Sequence, residues 1–153
     1  MANQFVHLHV HTEYSLLDGA NRVSDLVRAT KQDGSPALAI TDHGNMFGAL
    51  EFFNECKKHD LKPIIGCEMY VAKSNRFKKH SRGNGYNHIT LLAKNNTGLK
   101  NLYYLTSLSF IEGLSNRPRI DTELLYQNRS GLVCLSGCLS SKLNELLLKA
   151  KNS

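Results

Sequence analysis

Ala37–His59 reads ALAITDHGNMFGALEFFNECKKH. Its first five residues, Ala37 to Thr41, form a short apolar run of the kind that fills a strand covered on both faces. Asp42-His43-Gly44-Asn45 follows as a loop. Phe47 to His59 then places Leu50, Phe52 and Phe53 at helical spacing and ends near Lys57-Lys58, where positive charge suits a helix C-terminus.

The same order recurs on both sides of this unit. Upstream, Phe5 to Val10 (FVHLHV) alternates and is β-branched, which predicts a strand. Glu13 to Arg22 contains Asp18-Gly19 and reads as a loop. Ser24 is placed to cap a helix running through Leu26, Val27 and Ala29 to a stop at Asp33-Gly34. Downstream, Pro63 to Val71 is a buried strand around Ile64-Ile65, and Lys73 to Asn87 is a polar, basic loop with Gly83 and Gly85. His88 to Ala93 is a further strand. Thr97 to Phe110 carries Leu99, Leu102, Tyr103, Leu105 and Leu108 at helical spacing. Arg117-Pro118-Arg119 interrupts, Asp121 to Tyr126 is a short helix, Leu132 to Ser136 a fifth strand, and Ser141 to Lys149 a final helix. Strands alternating with helices predict an α/β fold with parallel strands.

The 153 residues suit one domain. Charged residues make up 21% and apolar residues 41% of the chain, a balance that excludes wholesale disorder. No apolar run approaches the roughly 18 residues of a membrane span, and Met1 to Val10 has no secretory pattern. Cys56, Cys67, Cys134 and Cys138 contain no CxxC pair, which argues against a zinc ribbon and for a reduced, cytoplasmic chain. Nineteen basic against thirteen acidic residues give a net charge of +6, which suits an anionic partner such as nucleic acid or a phosphate ester.

Loops after the strands of α/β folds hold their chemistry. His9 and His11 end the first strand on one face, a face His7 shares. Asp42 and His43 follow the second strand. Glu68 lies in the third, His88 opens the fourth, and Cys138 follows the fifth. Asp18 stands in the first loop. Each is weak alone: a histidine is often a satisfied core residue, and a cysteine a small buried hydrophobe. Together they gather at one end of every strand. Nitrogen and oxygen donors with one thiolate suit zinc, manganese or iron, and seven candidates suit a cluster of two or three ions with shared carboxylates. His59 and His80 read as solvated.

The series FVHLHVHTEYSLLDG (5–19), AITDHGNMFG (39–48), PIIGCE (63–68), YNHITLLAKNN (86–96), RPRID (117–121) and LVCLSGCL (132–139) resembles, in order, the motifs of the PHP (polymerase and histidinol phosphatase) superfamily. It is most similar to the version at the N-terminus of bacterial replicative DNA polymerases. The resemblance implies a PHP-type distorted barrel of seven strands and helices, of which residues 1–153 are the N-terminal portion, with the polymerase domains absent. It implies two or three divalent metal ions (zinc, manganese or iron) at His9, His11, Asp18, His43, Glu68, His88 and Cys138. His9, His11, Glu68 and His88 would carry the catalysis, and Asp42 would orient His43.

The family's late Asp-x-His motif has no counterpart here. The implied activity is phosphoester hydrolysis in DNA replication, in the form of a 3′ to 5′ proofreading exonuclease. The implied partners are DNA, the rest of the polymerase chain and a separate exonuclease subunit, with no membrane. Lys73, Arg76, Lys78, Lys79 and Arg82 would track the nucleic-acid backbone. The alternative is a non-catalytic module that docks the exonuclease subunit. A small-molecule phosphatase is a third reading, which HTEYSLLDG and RPRID disfavour.

Overall fold

A computed structural model describes residues 5–16, 18–79 and 85–151. In chain order the elements are α1 (Val23–Gln32), β1 (Ala37–Ile40), α2 (Ala49–Lys58), β2 (Lys62–Ala72), β3 (Tyr86–Ala93), α3 (Asn96–Ile111), β4 (Arg119–Ile120), α4 (Thr122–Gln127), β5 (Leu132–Leu135) and α5 (Lys142–Lys151). The α/β class follows the sequence reading. The expected parallel sheet does not: β1 and β4 pair with β2 in parallel, but β3 runs antiparallel to β2 and to β5. The long loop after β2 brings the chain back beside the strand it left, where a parallel partner would need a crossover element.

Strand β2 is long enough to serve three neighbours, with β4 beside Tyr70 and Val71. Residues 62–65 pair with β1, and residues 66–72 pair with β3. All four residues of β1 are buried: β2 and the segment 7–10 flank its edges, and Leu38 and Ile40 pack against α1 and α2. That segment is the expected first strand, but its ladder is incomplete. The amides of Ala39 and Thr41 donate to the carbonyls of His7 (3.0 Å) and Val10 (2.8 Å). The amides of Val10 and Thr12 instead donate to side chains, Thr41 Oγ1 (2.9 Å) and Asp42 Oδ1 (2.6 Å). Side-chain acceptors have replaced the backbone acceptors of a regular strand.

Helix α1 buries Val23, Val27 and Thr30, and α2 buries Ala49, Phe52 and Cys56, each set on one helical face. Val23, Val27, Phe52 and Cys56 join Leu38 and Ile40 of β1 in one apolar cluster. A second cluster sets Met69 and Val71 of β2 and Leu91 of β3 against Leu102 and Leu105 of α3 and Leu124 of α4. Ser24 does not cap α1. Arg22 holds that position, and the Glu13 carboxylate accepts the Val23 amide at 3.2 Å from a distant loop. The short β4 lies where the sequence reads an interruption. Its Arg119 is buried, donating from Nε to the Gly113 carbonyl (3.0 Å) and from Nη2 to those of Arg76 (3.2 Å) and Lys78 (3.1 Å).

Candidate metal centre

Beyond Ile40 the chain keeps pairing with β2 through its backbone. The Glu68 amide donates to Asp42 O at 3.1 Å, and the Gly44 amide to Glu68 O at 2.8 Å. His43 is thereby fixed beside Glu68. Gly44 makes the turn with φ +62°, and a Cβ there would lie 2.9 Å from both the Tyr70 ring and Pro118. Across the hairpin, Glu68 pairs with Thr90 and Tyr70 with His88, so Glu68 and His88 are diagonal neighbours on one face. The antiparallel direction is what brings His88, near the start of β3, to this place; a parallel strand would carry it to the far end of the sheet.

Four imidazoles therefore converge on one buried carboxylate. Glu68 Oε2 lies 2.6 Å from His9 Nε2, 3.2 Å from His11 Nε2 and 3.7 Å from His43 Nδ1. Oε1 lies 2.5 Å from His88 Nδ1. His11 stacks on His43 with ring centroids 4.1 Å apart. Burial would raise the Glu68 pKa, but the contacts with His11, His88 and His9 outweigh it and hold the carboxyl far below its usual range. The same contact raises His11 above its ordinary value.

The donors form two triads, His9–His11–Glu68 and His43–Glu68–His88, whose ligand atoms lie within 4.8 Å of one another. Glu68 belongs to both. His43 Nδ1 is buried with no hydrogen-bond partner among the described residues, as is Thr90 Oγ1, opposite Glu68 in register. An orphaned imidazole nitrogen beside a shared carboxylate fits divalent metal binding.

The other expected ligands sit at the edge of this group. Asp18 Oδ2 is 2.7 Å from His43 Nε2, and the exposed Cys138 Sγ is 3.9 Å from His88 Nδ1. His7 is exposed, packs edge-on against Phe5 and belongs to neither triad. Cys67 and Cys56 are buried, and burial pushes both thiols up, that of Cys56 to about 12, so neither is a ready thiolate.

Asp42 does not touch the His43 ring, contrary to its expected orienting role. Its carboxylate accepts Thr12 N (2.6 Å), Thr12 Oγ1 (2.8 Å) and Ser15 Oγ (2.7 Å). Ser15 Oγ in turn accepts the His43 amide at 3.1 Å. Asp42 thus anchors the loop after His11 and reaches His43 only through Ser15. Thr12 and Ser15 escaped the sequence reading, whose one available signal was their place directly after the paired histidines. Tyr70 also escaped it; its ring stacks 6.1 Å from His43.

The basic loop divides. Arg76 is spent on Glu112 (2.5 Å) and Asp121 (3.0 Å), which removes it from the expected backbone-tracking set, while the exposed Lys73 makes a surface ion pair with Glu145 (3.2 Å). Lys78 and Lys79 are exposed, while His80, Arg82 and Gly83 lie outside the described residues. His59 is partly exposed, 3.3 Å from Glu55.

The PHP domain profile matches residues 7–153. The DNA polymerase III subunit alpha of Treponema pallidum (strain Nichols) is 54% identical over 149 residues, covering 96% of this chain and 13% of that protein. That of Thermus aquaticus is 48% identical over 151 residues, covering 95% of this chain and 12% of that protein. The chain thus spans about an eighth of the length of these relatives. A structure from Bifidobacterium adolescentis described as a metal-dependent phosphoesterase superposes with a TM-score of 0.47 at 17% identity, covering 72% of this chain and 36% of that one. No helix among the described residues is long and apolar enough to cross a membrane.

Proposed function

This chain belongs to the PHP domain family, and on that premise we propose that it is the N-terminal part of a replicative polymerase's PHP domain and holds a phosphoesterase site. The observation that carries the proposal is the shared, buried Glu68 carboxylate with four imidazole nitrogens within 3.7 Å and one of them orphaned. His9, His11, His43, Glu68 and His88 would hold two divalent ions, zinc, manganese or iron, with Asp18 and Cys138 placed to complete the set. Bound there, the ions would polarise a phosphoryl oxygen and bring the pKa of a coordinated water to about 7.

The chain's own residues supply the rest. Glu68 is kept ionised by its imidazoles, so its negative charge is ready before any ion arrives. Asp42 and Ser15 fix the loop that carries His11 and the backbone of His43, so the donors are held in place rather than gathered on binding. The substrate class this reading favours is the phosphodiester at a DNA 3′ end, cut in the 3′ to 5′ direction during replication in the cytoplasm. DNA, the remaining polymerase chain and an exonuclease subunit are the partners it implies.

The test is stepwise shortening of a 5′-labelled single strand by the manganese- or zinc-loaded chain, against His11→Ala. Loss of both metal and nuclease activity in the variant is expected. Activity that persists without bound metal overturns the site. Metal binding without hydrolysis, in this chain and in a full-length relative, favours the non-catalytic docking module.

A further inference from the structure

A cavity of about 350 Å³ opens beside His43, walled by Tyr14, Phe47, Tyr70, Phe110 and Arg117. Neither apolar core claims Phe47, which is 67% exposed, or Phe110, which is 37% exposed. Their ring centroids lie 6.2 Å apart with planes tilted by 36°, which makes an open ledge rather than a stacked pair.

The walls are fixed from behind. Tyr14 Oη donates to Glu51 at 2.7 Å. Asn45 accepts the Phe47 amide at 3.1 Å and donates to the carbonyls of Tyr14 (3.1 Å) and His43 (3.0 Å). One side chain thus ties the ledge to the candidate metal centre.

The charge at the rim is equally specific. Arg76 and Arg119 are consumed by carboxylates and carbonyls. Arg117 is exposed, stands 5.8 Å over the Tyr70 ring, and makes no ion pair among the described residues. Tyr70 stacks in turn against His43. An exposed guanidinium, an aromatic ledge and a candidate metal centre therefore share one concave surface in a chain of net charge +6.

We propose that this cleft is the subsite for the terminal nucleotide of a single strand, whose base lies on the Phe47–Phe110 ledge while Arg117 takes a phosphate. Aromatic ledges bind unstacked bases of any identity, and a guanidinium matches phosphate oxygens bidentately. At a duplex end the terminal base is held in its pair and must be unpaired and unstacked before it can enter the cleft, so the subsite selects frayed or single-stranded termini. The proposal deepens the phosphoesterase reading and rests on it for the meaning of the site, but binding at the cleft is measurable whether or not the cluster holds metal.

The experiment is fluorescence anisotropy with a 5′-fluorescein thymidine tetranucleotide and the same oligomer with an abasic 3′-terminal sugar. It is run in EDTA so that nothing is cleaved. The parent chain should bind the intact oligomer about tenfold tighter than the abasic one. Phe47→Ala should abolish that difference by weakening only the intact oligomer. Arg117→Ala should weaken both and reduce the slope of log affinity against log salt by about 0.7, one single-strand phosphate contact. Both side chains are exposed, so thermal melts should match the parent.

The proposal is overturned if the parent does not distinguish the two oligomers or binds neither, if Phe47→Ala keeps the difference, or if Arg117→Ala keeps the slope. Ledge-dependent binding by a chain that takes up no metal would instead defeat the phosphoesterase reading and leave the subsite standing.

Discussion

Replacing Glu68 by glutamine removes one negative charge from the point where both triads meet and changes little in shape. The carboxylate is 2% exposed, with imidazole nitrogens at 2.5, 2.6 and 3.2 Å. A hydrogen bond to a charged group contributes about 1.5–3 kcal/mol net. The substituted amide keeps one acceptor oxygen, and water reaches the partly exposed histidines, so roughly one to two such bonds are lost. That predicts a destabilisation of about 3 kcal/mol in the metal-free chain. For a domain of this size 1 kcal/mol moves the melting temperature by about 2–4 °C, so Glu68→Gln should melt about 6–12 °C below the parent in EDTA. A second difference appears with metal. At a hundredfold excess of free ion over Kd the parent gains about 2.7 kcal/mol, whereas the variant, without the shared carboxylate, gains little. Differential scanning calorimetry with EDTA and with manganese reads both. A variant that melts with the parent in EDTA and shows the same rise with manganese would refute the central place given to Glu68.

Cys138→Ser should keep the fold, since the thiol is exposed, but should remove the near-ultraviolet thiolate charge-transfer absorption that the cobalt-substituted parent shows if Cys138 completes the site. Gly44→Ala meets the Tyr70 ring and Pro118 at a φ of +62° and should cost about 2 kcal/mol, read as a lower denaturant midpoint. Asp121 gives a pH dependence. Burial would raise its carboxyl, but the amides of Leu124 and Arg76 and the Arg76 guanidinium prevail and hold it below its ordinary value. Its contribution is therefore present in full above the unfolded value of about 4 and is lost as pH falls through that point toward the lower folded value. Urea midpoints should drop below about pH 4 for the parent, and Asp121→Asn should be less stable above that pH with a shallower drop beneath it.

Much of this was legible in the chain because local pattern and burial agree. The apolar run Ala37 to Thr41 is all-buried, with Leu38 and Ile40 packed under α1 and α2, and the spacing of Phe52 and Cys56 follows the buried face of α2. Of the expected donors, His9, His11, His43, Glu68 and His88 come together as two triads, with Glu68 inside β2 rather than at its end. Strand direction was not legible. Periodicity is blind to it, and the antiparallel β3 reads like any strand of a parallel sheet. That direction is nonetheless what carries His88, near the start of its strand, to the side of Glu68. Nor could the sequence separate Arg76, locked between Glu112 and Asp121, from Arg117, which meets no carboxylate among the described residues. Both belong to basic stretches and differ only in what the fold sets beside them.

The most direct test of the account is elemental mass spectrometry of the purified 153-residue chain beside its Glu68→Gln variant, both dialysed against trace zinc, manganese and iron. The account predicts about two divalent ions per parent chain, sharing Glu68 between the triads, and a substoichiometric amount in the variant. A parent chain that holds no stoichiometric metal, or a variant that holds as much as the parent, would contradict it.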